Sequence, residues 1–112
     1  MEDCIFCRIV RGEMNADIVY EDDKIMAFED VNPQAPVHIL IVPREHIPRL
    51  SENTDERLLG ALLKVAAQLA QRRNIAEDGY RIVVNTNRFA GQSVDHLHFH
   101  LLGGRKMNWP PG

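Results

Sequence analysis

The strongest constraint on the fold is a segment in which histidines and apolar residues alternate. Residues 95–104 read Asp-His-Leu-His-Phe-His-Leu-Leu-Gly-Gly, which places histidines at His96, His98 and His100. Side chains on a β-strand point alternately to the two faces of a sheet. The pattern therefore predicts a strand with three histidines on one face and apolar side chains on the other. Because imidazole exchanges protons, binds metals and attacks electrophiles near neutral pH, the histidine face is predicted to be a functional site.

The patterns before this segment predict further strands and a short helix. Apolar spacing closed by a glycine predicts one or two helical turns over residues 4–12. Runs of β-branched and aromatic residues predict strands at 18–21, 25–28, 37–42 and 80–85. The first two of these runs flank a turn signal and form a predicted hairpin. The third run is almost wholly apolar, which is typical of a central strand.

One long amphipathic helix is predicted from about Thr54 to Arg73. Apolar residues recur there at steps of three and four, at Leu58, Leu59, Leu62, Val65, Ala66 and Leu69. Strands on both sides of this helix, joined by short connections, favour an α+β class with a largely antiparallel sheet over a parallel doubly wound fold. Since the sequence shows neither repeats nor a linker, residues 1–112 are expected to form a single domain.

Length and charge exclude several classes of protein. A chain of 112 residues that is 45% hydrophobic can close a core without disulfides. The net charge of −3 argues against general binding to nucleic acids or anionic membranes, because such proteins carry an excess of Lys and Arg. No apolar run approaches the roughly 20 residues that span a bilayer, and residues 1–4 lack the pattern of a secretory signal. We therefore expect a cytoplasmic protein with neither a nucleic-acid nor a membrane partner.

The neighbours of the histidine segment suit chemistry at phosphorus. A histidine nucleophile needs a neutral ring with one nitrogen free and the other N–H held by an acceptor. Gly91 and Ser93 shortly precede the histidines, and loop amides and hydroxyls can stabilise charge on phosphate oxygens. A leaving group needs a proton, which Ser93, His38 or a water could supply. Each residue also has an ordinary explanation, since Asn85 could end a strand, Ser93 could form a turn and His38 could be a surface histidine.

Cys4 and Cys7 form a Cys-x2-Cys pair near the start of the chain. Two cysteines at this spacing are too few and too close for a secreted disulfide framework. A tetrahedral zinc site would need two more ligands, for which His46 and His96 are available. The alternative is a pair of reduced, buried thiols at the start of a helix.

The segment 96–102 resembles the His-φ-His-φ-His-φ-φ motif of the histidine triad superfamily, where φ is an apolar residue. The resemblance extends over nearly the whole chain, and it is to the Hint branch, the purine nucleoside phosphoramidases. It is carried also by residues 4–7, 20–22, 27–30, 33–38, 91–94 and 102–112. It implies an antiparallel five-stranded sheet with one long and one short helix, and a homodimer in which the sheet continues across the partner.

The resemblance implies hydrolysis of a P–N bond. His98 would attack the phosphorus of an adenosine or guanosine 5′-phosphoramidate, and water would then release the nucleotide from a nucleotidyl-histidine intermediate. His100 and His38 would assist through phosphate contacts and proton transfer. Ser93 and Asn85 correspond to residues that contact the phosphate region and the leaving group. No cofactor is required for this reaction.

The resemblance also implies where the purine nucleotide binds. Asp30 matches the carboxylate that holds the ribose hydroxyls, and Gly91 belongs to the loop at the phosphate. The purine pocket would be lined by Ile5, Phe6, Ile9, Phe28, Val31 and Leu40. Small purine nucleotide conjugates are therefore the expected substrates. Trp109, the only tryptophan, would lie near the active site of the partner subunit.

Zinc-bearing members of the superfamily use residues that match Cys4, Cys7, His46 and His96, so the resemblance implies a structural zinc ion. Two further positions depart from the family pattern. Many relatives have an aromatic residue in place of Asp95 and a histidine or arginine in place of Glu29. The ends of the cleft are therefore expected to prefer different substrates.

Two alternative functions remain open from the sequence. A dinucleoside polyphosphate hydrolase of the same superfamily is disfavoured by Gly103-Gly104 and by the Trp-Pro-Pro-Gly tail. A zinc-stabilised nucleotide-binding protein that acts through interaction would carry the same binding residues.

Overall fold

The computed structural model describes residues 3–52 and 55–112. The helices in these ranges are α1 (Ile5–Val10) and α2 (Glu56–Arg72). The strands are β1 (Ile18–Glu21), β2 (Ile25–Glu29), β3 (Val37–Pro43), β4 (Tyr80–Val84) and β5 (Phe99–Gly103), and a short 3-10 helix at Arg88–Ala90 lies between the last two.

The strands form one antiparallel sheet with the order β1-β2-β3-β5-β4. This confirms the predicted α+β class, the five-stranded antiparallel sheet and the pairing of one long with one short helix. All seven residues of β3 are buried, so the apolar run is the central strand that its composition predicted. In the register of β3 and β5, Leu40 lies opposite His100. The histidine on β5 therefore pairs with a residue predicted for the purine pocket.

The two faces of the sheet are covered by different helices. On one face, Leu62, Val65, Ala66 and Leu69 of α2 pack against a large buried cluster that includes Ile39 and Ile41 of β3. On the other face, a smaller buried cluster joins α1 to β2 and β3 through Phe6, Ile9, Met26, Phe28, Leu40 and Val42. Alternation along β3 thus sends successive side chains to α2 and to α1.

The histidine segment keeps its predicted alternation but is paired as a strand only in part. Leu97, Phe99 and Leu101 all belong to the cluster under α2. Strand β5 begins at Phe99, however, so only one of the three histidines lies on it. The pairing of β5 with β3 ends at Phe99 opposite Ile41, although β3 itself continues to Pro43. The N–H of Leu97 donates instead to the carbonyl oxygen of Ile47, 2.7 Å away.

The long helix begins where a side chain caps it. The carboxylate of Asp55 accepts a hydrogen bond from the backbone N–H of Arg57 at 2.9 Å, which satisfies one free donor of the first turn. The helix ends at Arg72, one residue before the predicted end, while the predicted start at Thr54 lies outside the described residues. Neither helix in the described ranges is long and apolar enough to cross a bilayer.

Candidate functional site

His98 is held in a single tautomer by the backbone before it. Its Nδ1 lies 2.7 Å from the carbonyl oxygen of His96. A carbonyl oxygen only accepts hydrogen bonds, so Nδ1 carries the proton and Nε2 keeps a free lone pair. The side chain is 4% exposed, and the ring edge of Phe6 packs against it with centroids 5.1 Å apart. Burial lowers the pKa of His98, which keeps the ring neutral and nucleophilic at neutral pH.

A second hydrogen-bonded chain fixes the tautomers of His38 and His100. The backbone N–H of Gln34 donates to Nδ1 of His38 at 3.0 Å, so neutral His38 carries its proton on Nε2. That Nε2 lies 2.9 Å from Nδ1 of His100 and 3.3 Å from a carboxylate oxygen of Asp30. His38 therefore donates to His100, which leaves the proton of neutral His100 on its own Nε2. This series of hydrogen bonds leaves His100 with an N–H donor at Nε2.

Burial keeps both of these histidines neutral. It lowers the pKa of His38, against an opposing effect of the Asp30 carboxylate. Burial, followed by the neighbouring His98 and His38, lowers the pKa of His100 to about 4. Both rings can therefore pass and donate protons at neutral pH without carrying a permanent charge.

The same geometry argues against a metal ion on Asp30, His38 and His100. One ligand atom from each lies within 4.8 Å of the others. Coordination through Nε2 of His38 would require the proton on Nδ1, where the N–H of Gln34 already points. The arrangement suits proton exchange better than metal binding.

A cavity of about 260 Å³ joins the histidines to the apolar cluster under α1. Ten residues predicted to bind nucleotide line it: Ile5, Phe6, Ile9, Phe28, Asp30, Val31, Leu40, Ser93, His98 and His100. The lining combines apolar side chains with two histidines, Ser93 and Asp30. Val31 is 97% exposed at the rim, which leaves an apolar side chain open to a planar ligand. The cavity therefore has the polarity that a purine and a phosphate require.

Three other predicted site residues lie outside the cavity lining. His38 is buried and contacts the cavity through His100. Asn85 directly follows β4, and Gly91 ends the 3-10 helix with φ of 83°. Conversely, the lining includes Met14, Asn15, Ala16 and Val94, to which the sequence analysis gave no role, and Glu29, which it named as a departure from the family pattern. Residues 14–16 belong to the link between α1 and β1, and a short irregular link carries no periodic signal that would place it on a cavity.

The second cluster brings together all four predicted metal ligands. Sγ of Cys4 lies 3.4 Å from Nδ1 of His96, and Sγ of Cys7 lies 3.5 Å from the same atom and 3.2 Å from Nδ1 of His46. Sulfur and nitrogen ligands of a tetrahedral zinc ion would be about 3.5 Å apart, given bond lengths of about 2.3 and 2.0 Å. The donor set therefore fits zinc in type, number and spacing.

The surroundings of this cluster also favour the binding of a cation. Nε2 of His96 donates to the carbonyl oxygen of Pro43 at 2.8 Å, so its Nδ1 faces the sulfur atoms with a free lone pair. Burial lowers the pKa of His96 to about 4, which keeps that lone pair available. Burial and the neighbouring Cys4 raise the pKa of Cys7 to about 11, so a bound cation would be needed to hold it as a thiolate.

Comparison with known proteins identifies relatives along almost the full length of the chain. Residues 11–107 match the model of the HIT domain. The chain is 51% identical over 108 residues to the purine nucleoside phosphoramidase of Escherichia coli K12, an alignment that covers 95% of this chain and 91% of that protein. It is 55% identical over 113 residues to a HIT-like protein of Synechococcus elongatus, with 99% and 98% covered.

Solved structures agree with these sequence matches. The crystal structure of a HIT family hydrolase from Legionella pneumophila superposes with a TM-score of 0.95 at 49% identity, covering 98% of this chain and all of that one. A histidine triad protein from Clostridium difficile superposes with a TM-score of 0.92 at 39% identity, covering 96% of each chain. The resemblance seen in the sequence is thereby confirmed, and the chain belongs to the HIT domain family.

Proposed function

We propose that this protein hydrolyses the P–N bond of adenosine or guanosine 5′-phosphoramidates through a nucleotidyl-histidine intermediate on His98. The observation that carries the proposal is the hydrogen bond from Nδ1 of His98 to the carbonyl oxygen of His96, which leaves Nε2 as a neutral nucleophile in a residue of the cavity lining. The similarity to a purine nucleoside phosphoramidase supports the same reaction.

In the first step, Nε2 of His98 forms a bond to the α-phosphorus as the P–N bond breaks. The N–H of His100 stabilises the charge on a non-bridging oxygen. The departing amine takes a proton from the Ser93 hydroxyl, from a water, or from His38 through His100. In the second step, water attacks phosphorus and gives a proton back to the group that protonated the amine, while the bond to Nε2 breaks and a nucleoside monophosphate leaves.

The binding of the nucleotide follows from the two kinds of residue that line the cavity, apolar and polar. Phe6, Ile9, Phe28 and Leu40 offer an apolar slot for the purine. Asp30, whose other carboxylate oxygen accepts the N–H of Asn32 at 2.8 Å, is oriented to accept hydrogen bonds from ribose hydroxyls. We assign Asn85 and Gly91 to the surroundings of the phosphate by the family resemblance alone.

We further propose that Cys4, Cys7, His46 and His96 hold a structural zinc ion. When bound, zinc would supply a cross-link between α1, the segment after β3 and the segment before β5. The zinc ion and its ligand His96 take no part in the chemistry, because the two ring nitrogens of His96 are used for the cluster and for the carbonyl of Pro43. Reduced thiols or metal-bound thiolates of this kind fit a reducing compartment such as the cytoplasm.

The quaternary structure that we propose is a homodimer joined through β4. This strand is an edge of the sheet, with Tyr80 exposed at its start. Trp109 in the tail is 81% exposed, with the guanidinium of Arg81 5.9 Å from its ring centroid, so an aromatic side chain lies beside the same edge. Sedimentation should give twice the monomer mass, and a charge placed on this edge at the exposed Tyr80 by Tyr80→Lys should lower it.

Mass spectrometry of enzyme quenched during turnover tests the chemistry. With an adenosine 5′-phosphoramidate, one nucleoside monophosphate should be found on the peptide containing His98. His98→Ala should lower turnover by at least about 10³-fold, as expected for a nucleophile. Turnover of diadenosine polyphosphates above that of the phosphoramidate would favour the dinucleoside polyphosphate hydrolase instead. If the enzyme turned over without an adduct, the intermediate on His98 would be refuted.

A further inference from the structure

Gln92 uses its whole side-chain amide in the loop that leads to the histidines. Its Oε1 accepts a hydrogen bond from the backbone N–H of Asn87 at 3.0 Å. Its Nε2 donates to the carbonyl oxygens of Pro48 at 2.8 Å and Val94 at 3.0 Å. One N–H partner and two carbonyl partners fix the orientation of the amide without ambiguity.

These bonds hold the loop in a conformation that it would not readily keep alone. Asn87 has φ of 70° and ψ of −178°, a region of backbone space that residues other than glycine rarely adopt. The backbone N–H of Gln92 also donates to the carbonyl oxygen of Asn87 at 3.2 Å, so Gln92 binds both polar groups of the strained residue. Residues 87 and 92, the two ends of the loop, are therefore joined by both the backbone and the side chain of Gln92.

The position of Ser93 depends on this arrangement. Ser93 directly follows Gln92, and the side chain of Gln92 bonds the carbonyl of the next residue, Val94. Both Ser93 and Val94 line the cavity together with His98. Ser93 therefore lies in the chain between Gln92 and Val94, the residue whose carbonyl the Gln92 side chain binds.

The loop and the nucleophile are also anchored to the same stretch of backbone. Gln92 bonds the carbonyl of Pro48, while the N–H of Leu97 bonds the carbonyl of the preceding residue, Ile47. Leu97 immediately precedes His98. Residues 47–48 therefore set the distance between the loop that carries Ser93 and the segment that carries the nucleophile.

We propose that Gln92 is a positioning residue that holds Ser93 in place for the departure of the amine. The inference rests on the proposed function, in which Ser93 contacts the phosphate region and the leaving group. Because Gln92 bonds the loop that carries Ser93, its loss should lower kcat while leaving the apolar residues under α1 unchanged. A displacement of about 1 Å at a reacting group can cost roughly 100-fold in rate.

The main test variant is Gln92→Glu, which keeps the size of the side chain but removes both N–H donors and places a carboxylate against two carbonyl oxygens. We expect kcat to fall by about 10- to 100-fold, with KM and the Kd for AMP within about 3-fold of the wild-type values. Gln92→Met has a similar length without charge or donors, and it replaces Gln92→Glu if that variant fails to fold. Gln68→Glu, on the exposed face of α2, is the control for the change in charge.

A double-mutant cycle with Ser93→Ala separates positioning from general loss of structure. If Gln92 acts through Ser93, adding Gln92→Glu to Ser93→Ala should lower kcat by no more than about 2-fold further. Fully multiplicative effects would overturn the inference, as would wild-type kcat for both Gln92 variants. Wild-type kcat for Ser93→Ala would overturn the inference together with the role of Ser93, while the nucleotide adduct on His98 would still test the proposed function separately.

Discussion

The ring of His98 and the backbone of His96 are joined by a hydrogen bond of 2.7 Å, so a residue of the Cys/His cluster orients the proposed nucleophile. His96 is itself fixed at both ring nitrogens, by the sulfur atoms on one side and by Pro43 on the other. The two clusters therefore meet at one residue. Changes at the proposed metal ligands are expected to affect catalysis as well as stability.

Loss of the proposed zinc ion should destabilise the protein and slow the reaction. Cys7→Ser removes a ligand that lies close to both histidine ligands. We expect the zinc content to fall. At a free zinc concentration of 100 times the Kd, the free energy of unfolding should decrease by about 3 kcal/mol. Elemental analysis and thermal unfolding with and without a chelator measure both effects. A full metal complement in Cys7→Ser, or a chelator that leaves the melting temperature unchanged, would contradict the zinc site.

Replacing His38 by a residue without a donor should allow the ring of His100 to adopt either tautomer. In His38→Leu, Nδ1 of His100 loses the N–H that it accepts at 2.9 Å. We expect kcat to fall by roughly 10²-fold, the lower end of the effect of a general acid or base. His38→Gln retains an N–H donor and should recover part of this loss. Nitrogen NMR of the His100 ring checks the cause, because the wild-type ring should carry its proton on Nε2. A ring protonated on Nδ1 would contradict the chain of hydrogen bonds.

Stability should decrease as the pH falls from about 6.5 to about 4. An unfolded histidine has a pKa near 6.5, whereas burial, with smaller effects of His98 and His38, lowers the pKa of folded His100 to about 4. Between these values the unfolded chain binds a proton that folded His100 does not, so acid favours unfolding until the folded ring is also protonated. Denaturant unfolding of the wild type and His100→Asn across this range measures the contribution. Equal slopes against pH in the two proteins would refute it.

Two glycines should respond in opposite directions to the same substitution. Gly104 has φ of 89°, and a Cβ there would lie 2.9 Å from Cβ of Pro36, so Gly104→Ala should cost about 1–3 kcal/mol. Gly60 lies inside α2 with nothing within 4 Å of an added Cβ. Gly60→Ala should therefore stabilise the protein by about 0.5–1 kcal/mol. Melting temperatures of the two variants measure the contrast, and a shift in the same direction for both would contradict it.

Local patterns in the sequence determined the helices, the strands and the faces of the triad segment. Alternation with a period of two placed Leu97 and Phe99 in the core under α2, and the apolar run of β3 identified the central strand. These features follow from the geometry of a few consecutive residues, so no knowledge of distant contacts is needed. The resemblance of this sequence to its family predicted the four residues of the Cys/His cluster and most of the residues that line the cavity.

Tertiary structure alone decided how the histidines differ and how the loop before them is held. The tautomer of His98 depends on the carbonyl of His96, and that of His38 depends on the N–H of Gln34. Backbone positions, rather than residue types, therefore decide which ring nitrogen donates a hydrogen bond. Gln92 reaches Pro48 across 44 positions of sequence. A hydrogen bond between distant segments depends on strand register and loop path, which no local period encodes. The sequence therefore determined which residues could act, and the packing of distant segments decided which proton each of them carries.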